Sequence, residues 1–266
     1  MKLNGRTALI TGGTQGVGAA IARSLAGAGC DLVLHGLHAD DESRATEAAC
    51  REMGVQVTSV FEDLSVPTEV CVPNLLQSTA ATGLEPDILV NNAGTFAEPS
   101  FLEMDYESFQ RTMRLNVQTG FFLTQALAKR WIATGIDGRV VFTGSINGIL
   151  AEQDHTAYDT SKGAVHSMVR TLCVALAPHG IRVNAIAPGL VVTPLTAPAL
   201  ESSQSRRWME LHTPNRQVPS ADACGAATLF LLSNEASHVH GQTLLVDGGM
   251  SAWQQPDQPP NLRFAD

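Results

Sequence analysis

The fold is decided by the stretch Thr7-Ala-Leu-Ile-Thr-Gly-Gly-Thr-Gln-Gly-Val-Gly18, in which a short apolar run leads into a glycine-rich turn. The residues that follow, Ala19-Ala-Ile-Ala-Arg-Ser-Leu-Ala26, predict a helix because most of them are strong helix formers. A second apolar run, Gly29-Cys-Asp-Leu-Val-Leu-His35, predicts another strand. Two strands joined by a helix form a βαβ unit, in which the strands are parallel.

The alternation of strand and helix continues along the chain. Further apolar runs predict strands at 55–61, 87–91, 139–143, 182–186 and 244–246, with helices at 41–53, 67–83, 106–131, from about Tyr158 onward, and 222–232. Parallel strands joined by helical crossovers are covered on both faces, which agrees with their continuous apolar character. The predicted fold is therefore α/β: a Rossmann-like, doubly wound parallel sheet of about seven strands in an α/β/α arrangement of three layers.

We expect residues 1–253 to form a single domain, since no linker interrupts the alternation and a chain of 266 residues can bury one large core. Residues 193–219 depart from the pattern: they are rich in Pro and Ser and predict a short amphipathic helix near 203–211. This segment is a candidate substrate lid or, alternatively, a passive surface excursion. Residues 254–266 contain three prolines and predict an extended or disordered tail, or one that docks on a neighbouring subunit.

Charge and composition argue against several classes of protein. A net charge of −9 argues against nucleic-acid binding, which needs clustered Lys and Arg. The chain has no run of eighteen apolar residues, and its N-terminus lacks the apolar core of a signal peptide, so we expect a cytoplasmic protein. The cysteines favour buried reduced thiols, and neither they nor His238 and His240 predict a metal site. These cysteines are Cys30, Cys50, Cys71, Cys173 and Cys224.

The glycine-rich turn is suited to phosphate binding. Its spacing is G-x-x-x-G-x-G, which differs from the G-x-G-x-x-G dinucleotide fingerprint. The physical basis is shared, because small residues let a phosphate approach the free N–H groups and positive dipole of a helix N-terminus. Its position between a buried strand and a helix strengthens this interpretation.

A second functional pattern links Ser145, Tyr158 and Lys162. Tyr158 and Lys162 are four residues apart in a helical segment, so they lie on one face, and Ser145 follows a predicted strand. The pKa of a phenol, near 10, is too high for proton transfer at neutral pH. At about 4 Å and an effective dielectric of roughly 20, an ammonium stabilises the phenolate by about 4 kcal/mol, which lowers that pKa substantially. The alternative is a surface tyrosine beside a solvated lysine.

Taken together, these features resemble the short-chain dehydrogenase/reductase family over about residues 3–250. Several motifs occur in the family's order, including the family's thirteen-residue step from serine to tyrosine. The matching motifs are Thr11-Gly-Gly-Thr-Gln-Gly-Val-Gly18, Asp63-Leu64, Asn91-Asn-Ala-Gly94, Asn116, the set Ser145, Tyr158 and Lys162, and Pro188-Gly189-Leu-Val-Val-Thr193.

The resemblance implies an NAD or NADP cofactor lying across the carboxyl ends of the strands. It implies that Ser145 orients the substrate oxygen and that Tyr158 gives or takes the proton. Lys162 would lower the tyrosine pKa and bind the nicotinamide ribose, and Asn116 would hold a water joining Lys162 to solvent. The implied cofactor-binding residues are Gly12, Thr14, Gln15, Gly16, Val17, Gly18, His35, Asp63, Leu64, Asn92, Ala93, Gly94, Tyr158, Lys162, Pro188, Gly189, Val191 and Thr193. Alternatively, Asn116 is only a polar residue inside a helix, and Asp63 only a strand-end residue.

The choice between NAD and NADP depends on the residues after the second strand, His35-Gly-Leu-His38. In this family an acidic residue at the position of Gly36 usually binds the ribose of NAD, and a cation nearby binds the extra phosphate of NADP. The acidic residue is absent, because that position is Gly36. The cation is absent as well, because the nearby positions hold Gln15, Leu37 and His38. Two acids nearby would repel a phosphate, although an arginine could compensate, so NAD is favoured. These residues are Asp40, Asp41 and Arg44.

The substrate side of the predicted site mixes polar and apolar residues. We expect Asn147, Gln153, His155 and Leu195 to contact the substrate, and Glu152 lies in the same stretch. A small polar alcohol or ketone, such as a sugar, polyol or sugar acid, is the first hypothesis. The alternative is a 3-oxoacyl thioester reductase of the acyl-carrier-protein type.

A non-enzyme alternative is a catalytically silent, cofactor-binding regulator, although all four catalytic positions hold the expected residues. The resemblance also implies a homo-oligomer, a tetramer or a dimer, paired through the helices that follow Tyr106 and Tyr158.

Overall fold

A computed structural model describes residues 1–96 and 99–253 of the chain, and within them one parallel sheet organises the fold. Its seven strands lie in the order β3-β2-β1-β4-β5-β6-β7. The strands are β1 (Thr7–Ile10), β2 (Asp31–Gly36), β3 (Val57–Phe61), β4 (Ile88–Asn91), β5 (Arg139–Thr143), β6 (Arg182–Pro188) and β7 (Thr243–Val246). The predicted fold class is confirmed, and the predicted strand boundaries are right to within about two residues.

The strand order reverses beside β1, which lies between β2 and β4 in the interior of the sheet. Leu9 pairs with Val33 of β2 on one side and with Leu89 of β4 on the other. All three side chains are fully buried, as expected for a sheet covered on both faces. A crevice forms where successive crossovers leave in opposite directions, outside the carboxyl ends of β1 and β4.

The helices cover both faces of the sheet. They are α1 (Gly16–Gly27), α2 (Asp41–Arg51), α3 (Thr68–Ala81), α4 (Tyr106–Met113), α5 (Thr119–Thr134), α6 (Thr156–Leu176), α7 (Ala197–Leu200), α8 (Ser203–Leu211) and α9 (Asp222–Leu232). Helix α1 packs with α9 against one face, and α3 and α5 pack together on the other. No helix in the described part of the chain is long and apolar enough to cross a membrane.

The single helix predicted over 106–131 is wrong in two respects. The helical stretch extends to Thr134, where Gly135 adopts a left-handed conformation (φ 70°) and ends it. It also contains a π-helical turn, Arg114–Gln118, between α4 and α5. A π turn inserts one extra residue while the apolar pattern on either side continues, so the sequence pattern alone did not reveal it.

The remaining expectations concern the segments outside the sheet and the cysteines. The 193–219 segment contains α7 and α8, and α8 coincides with the predicted amphipathic helix. The predicted tail, 254–266, lies outside the described residues. All five cysteines are free thiols; four are buried, but Cys173 is half-buried, contrary to expectation.

Candidate active site

The glycine turn between β1 and α1 forms one wall of a cleft. Gly12 and Gly16 have positive φ angles of 60° and 54°, which favour glycine. A Cβ at Gly18 would overlap the Gly12 carbonyl oxygen, so only glycine allows this close packing. Helix α1 begins at Gly16, and the Gln15 side chain does not cap it. The turn therefore fits an anionic group such as a pyrophosphate at the helix N-terminus.

His35, near the end of β2, holds the glycine turn in place through hydrogen bonds of its ring. The Gly12 N–H donates to Nδ1 over 3.1 Å, and Nε2 lies 2.9 Å from the Glu62 carbonyl oxygen. These partners require Nδ1 to accept and Nε2 to donate, which defines a neutral imidazole. The side chain is buried, and burial lowers the pKa of His35 below its usual value.

The Asn91–Gly94 turn after β4 is tied to the glycine turn. The Asn92 amide nitrogen donates to the Thr11 and Gly12 carbonyl oxygens at 3.1 and 3.0 Å. The Thr11 hydroxyl oxygen accepts from the backbone N–H groups of Asn92 and Ala93. The carboxyl ends of β1 and β4 are thus held together at the point where the strand order reverses.

The far end of the cleft lies beside Gly36 and Asp63. A Cβ at Gly36 would approach the Thr14 side chain to 2.8 Å, so an acidic residue at position 36 would require a shift of Thr14. Hydrogen bonds from Ser65 lower the pKa of Asp63, with Arg111 contributing to the same shift.

The acidic residues near this end are engaged within their own helix. Asp40 caps α2 by accepting from the Ser43 N–H. Arg44 pairs with Asp41 at 2.6 Å.

Ser145, Tyr158 and Lys162 converge at the other end of the cleft. Ser145 follows β5, while Tyr158 and Lys162 lie one turn apart on α6, with the Lys162 Nζ 5.4 Å from the centroid of the Tyr158 ring. Lys162 is buried and donates to the Thr143 carbonyl oxygen at 2.9 Å. Burial lowers the pKa of Lys162 from 10.5 to about 8. Tyr158 and Lys162 therefore lie on one face of α6, as their spacing predicted.

Asn116 is the central residue of the π turn and is buried. Its amide nitrogen donates to the Thr95 carbonyl and the Ser161 hydroxyl at 2.9 Å each, and its oxygen accepts from the Thr95 N–H at 2.9 Å. The side chain therefore links the segment after β4 to the helix that carries Tyr158. Its role in holding a water stays a prediction.

The two ends belong to one continuous cleft with a cavity volume of about 610 Å³. This size is typical of a cofactor site. The predicted residues that line it are Gly12, Thr14, Gln15, Gly16, Val17, His35, Asp63, Leu64, Asn92, Ala93, Gly94, Ser145, Tyr158, Lys162, Pro188, Gly189, Val191, Thr193 and Leu195. Five predicted residues lie outside the lining: Gly18, Asn116, Asn147, Gln153 and His155. Of these, Gln153 is exposed, and the structure does not bring it to the cleft.

Sequence reasoning missed Asp159, which organises the segment between Ser145 and Tyr158. Its carboxylate accepts from the Asn147 side-chain amide and from the Glu152 N–H, each at 2.8 Å. Asn147 in turn donates its backbone N–H to the Ser145 hydroxyl oxygen over 3.1 Å. The only available sequence signal was an acidic residue in the first turn of a helix, which is common and names no partner.

Phe96 and His166 were also missed. The rings of Phe96, His155 and Tyr158 form a cluster with centroid separations of 5.8 to 6.4 Å. His166 is buried beneath the Ser145 loop, where a Cβ at Gly144 or Gly148 would overlap its ring. Neither residue lies in a recognisable motif, because both contacts depend on tertiary packing.

Comparisons with known proteins agree with this arrangement. A family model described as enoyl-(acyl carrier protein) reductase matches residues 12–251. L-rhamnose 1-dehydrogenase (NAD(P)(+)) of Sphingomonas sp. is 31% identical over 93% of this chain and 97% of that protein. Galactitol 2-dehydrogenase (L-tagatose-forming) of Cereibacter sphaeroides is 33% identical over 95% and 97%.

A solved structure leads to the same conclusion. Gluconate 5-dehydrogenase of Burkholderia cenocepacia, in complex with NADP and tartrate, superposes with a TM-score of 0.86 at 30% identity, covering 95% of this chain and 97% of that one. Sequence, fold and site geometry together establish that the chain belongs to the short-chain dehydrogenase/reductase family.

Proposed function

We propose that the protein transfers a hydride between a nicotinamide cofactor and the carbon of a secondary alcohol or ketone in a small sugar, polyol or sugar acid. The observation that carries this proposal is the convergence of Ser145, Tyr158 and Lys162 on a cleft that continues to the glycine turn. The carbohydrate substrate is supported by the similar proteins, which are named as rhamnose, galactitol and gluconate dehydrogenases. A bound nicotinamide supplies the hydride acceptor or donor.

The residues of the chain would handle the oxygen and its proton. In the oxidative direction, the Tyr158 phenolate would accept the O–H proton as the substrate carbon gives up its hydride, for which a bound nicotinamide would be the acceptor. Ser145 orients the same oxygen by a hydrogen bond, and the ammonium of Lys162 stabilises the phenolate and binds the ribose hydroxyls. Reduction of a ketone follows the reverse path, with Tyr158 as the proton donor.

NAD is the favoured cofactor in this proposal. The glycine turn accommodates the pyrophosphate of either nicotinamide dinucleotide, so preference depends on the region around Gly36. Arg44, the cation that could hold an additional phosphate there, pairs with Asp41 instead. Comparison of kcat/KM for the two cofactors tests the preference, and a higher value with NADP would contradict it.

A 3-oxoacyl thioester reductase is the less supported alternative. Such an enzyme must dock an acidic carrier protein, and only a few arginines lie in the 193–219 segment: Arg206, Arg207 and Arg216. Arg207 already pairs with Glu210, at 3.6 Å. A silent regulator is less supported still, because Ser145, Tyr158, Lys162 and Asn116 all retain the expected chemistry.

Assembly, lid and location complete the proposal. We assign residues 193–219 as a lid, since Thr193, Pro194, Leu195 and Thr196 already line the cleft.

Exposed apolar side chains on α5 and α6, such as Phe121, Phe122 and Val174, support a homodimer or tetramer, which sedimentation would measure. Free, mostly buried thiols support a cytoplasmic location.

A cofactor-coupled absorbance screen tests the reaction class. The purified protein is incubated with NAD or NADP and a panel of aldoses, polyols, aldonates and acetoacetyl thioesters. Turnover of carbohydrates supports the proposal, while turnover confined to thioesters would replace it with the alternative.

A further inference from the structure

The segment that carries the reacting residues is mainly acidic. Between Ser145 and Lys162 the chain carries three carboxylates, Glu152, Asp154 and Asp159, and one lysine, Lys162. Asp159 is held close to the reacting residues by its bonds to Asn147 and the Glu152 N–H. A substrate carboxylate in this region would therefore meet an unfavourable electrostatic potential.

Neither of the two cationic residues among the described lining residues is placed to bind a carboxylate at the reacting end of the cleft. Among the described lining residues, only Arg111 and Lys162 have basic side chains of the arginine or lysine type. Arg111 lies at the opposite end of the cleft, where it lowers the pKa of Asp63. The Lys162 ammonium is buried and donates to the Thr143 carbonyl oxygen. Arg111 therefore lies at the wrong end of the cleft to bind a substrate carboxylate beside Tyr158, and the buried Lys162 ammonium is a single point charge rather than a bidentate partner.

Two other groups near the site could be considered as carboxylate partners. His155 lies beside Tyr158, but its Nδ1 is 3.0 Å from a carboxylate oxygen of Glu152 and so already faces an acid. The lid contributes Thr193, Pro194, Leu195 and Thr196 to the lining, whereas the arginines of α8 lie outside it. Hydroxyl, amide and aromatic groups therefore dominate this end.

From this arrangement we infer that the reacting end of the cleft accepts an uncharged polyhydroxy substrate, an aldose or a polyol, and discriminates against sugar acids. The inference rests on the proposed function and narrows it. A carboxylate that leaves water here loses solvation without gaining a cation, whereas the hydroxyls of a neutral sugar can exchange water for the polar side chains.

Matched substrates test the inference directly. Initial rates are measured for hexitols and aldoses, each paired with the aldonate of the same configuration, at low and at raised ionic strength. We expect kcat/KM for the neutral member of each active pair to exceed that of the aldonate by about tenfold or more. Salt should raise the aldonate rate and leave the neutral rate nearly constant, because screening weakens the repulsion.

A charge variant separates electrostatics from shape. The E152Q variant should raise the aldonate-to-neutral ratio of kcat/KM by about two- to fourfold, since one carboxylate near the site is removed. The matched control is E52Q, which makes the same change on an exposed residue after α2, at the opposite edge of the sheet, and should leave the ratio unchanged.

The possible results separate the inference from the proposed function. Aldonates turned over as well as or better than their neutral partners would overturn the inference, as would an aldonate rate that falls with salt. Turnover of neither class would overturn the proposed function itself.

Discussion

The Asp159 carboxylate accepts a hydrogen bond from the Asn147 side-chain amide over 2.8 Å, and Asn147 donates its backbone N–H to the Ser145 hydroxyl oxygen over 3.1 Å. A residue next to the proposed proton donor thereby controls the loop that carries the proposed oxygen-orienting group. Asp159 contacts neither cofactor nor substrate in the proposed mechanism, so it is a positioning residue.

We expect Asp159→Ala to lower kcat by about tenfold, because losing charge-assisted bonds worth about 1.5–3 kcal/mol each lets Ser145 depart from its working geometry. Asp159→Asn retains one acceptor oxygen and should recover most of the rate, while Asp154→Ala at the neighbouring exposed acid is the control. Steady-state kinetics together with cofactor titration would distinguish positioning from unfolding. A kcat unchanged in Asp159→Ala would contradict the role.

Tyr158→Phe should lower kcat by about 10²–10⁴-fold, the range typical of a lost acid–base group, while the affinity for the reduced cofactor stays within about twofold. The chain contains one other tyrosine, Tyr106, which is 77% exposed. Tyr106→Phe is therefore the matched control and should retain full activity. Cofactor fluorescence and turnover are the measurements, and near-normal turnover in Tyr158→Phe would refute the mechanism.

Lys162→Met should stabilise the cofactor-free protein at neutral pH. The pKa of Lys162 is about 8 in the fold and 10.5 in the unfolded chain, so the cost of burying the ammonium is complete below pH 8 and disappears as the pH approaches 10.5. We expect the variant to exceed the wild type by about 1–3 kcal/mol at pH 7, with the gap closing in alkali. Urea unfolding at pH 7 and near pH 10.5 measures the difference in the free energy of unfolding between variant and wild type. A difference that grows with pH would contradict the prediction.

The Gly36 position should resist a direct change of cofactor preference. An aspartate there would collide with the Thr14 side chain, so Gly36→Asp alone should weaken NAD binding. The double variant Thr14→Ala/Gly36→Asp removes that side chain beyond its Cβ and should increase the preference for NAD over NADP by about tenfold, a non-additive effect. Titration of both cofactors measures it, with Thr14→Ala as the control.

Acid should destabilise the fold through buried histidines. Burial lowers the pKa of both His35 and His166 below 6.5, and Lys162 and Arg170 act in the same direction on His166. The unfolded chain therefore binds more protons as the pH falls through 6.5, and the free energy of unfolding falls with it. The double variant His35→Asn/His166→Asn should show a shallower decline between pH 7 and 5 in urea unfolding. A decline parallel to that of the wild type would assign the acid sensitivity to other groups.

The sheet was predictable because each buried strand is a continuous apolar run, and because the Thr11–Gly18 turn joins one to a helix. Ser145, Tyr158 and Lys162 were predictable because their spacing matches a family motif. The Asp159–Asn147 contact was not, since its partners are twelve residues apart across an irregular loop. The π turn around Asn116 escaped prediction because one inserted residue leaves the flanking amphipathic patterns intact. The features that could not be predicted depend on packing between distant parts of the chain rather than on local sequence patterns.

That inserted residue has a consequence for how the chain can change. A π turn absorbs one extra residue without changing which faces the flanking helical turns present, so removing one position from 114–118 would leave a regular α-helix with those faces in place. The Asn116 amide would lose the position from which it bonds Thr95 and Ser161, whereas the outward rings of Phe121 and Phe122 would keep theirs. A single-codon deletion here would therefore disturb the catalytic end of the cleft and spare the surface proposed for association.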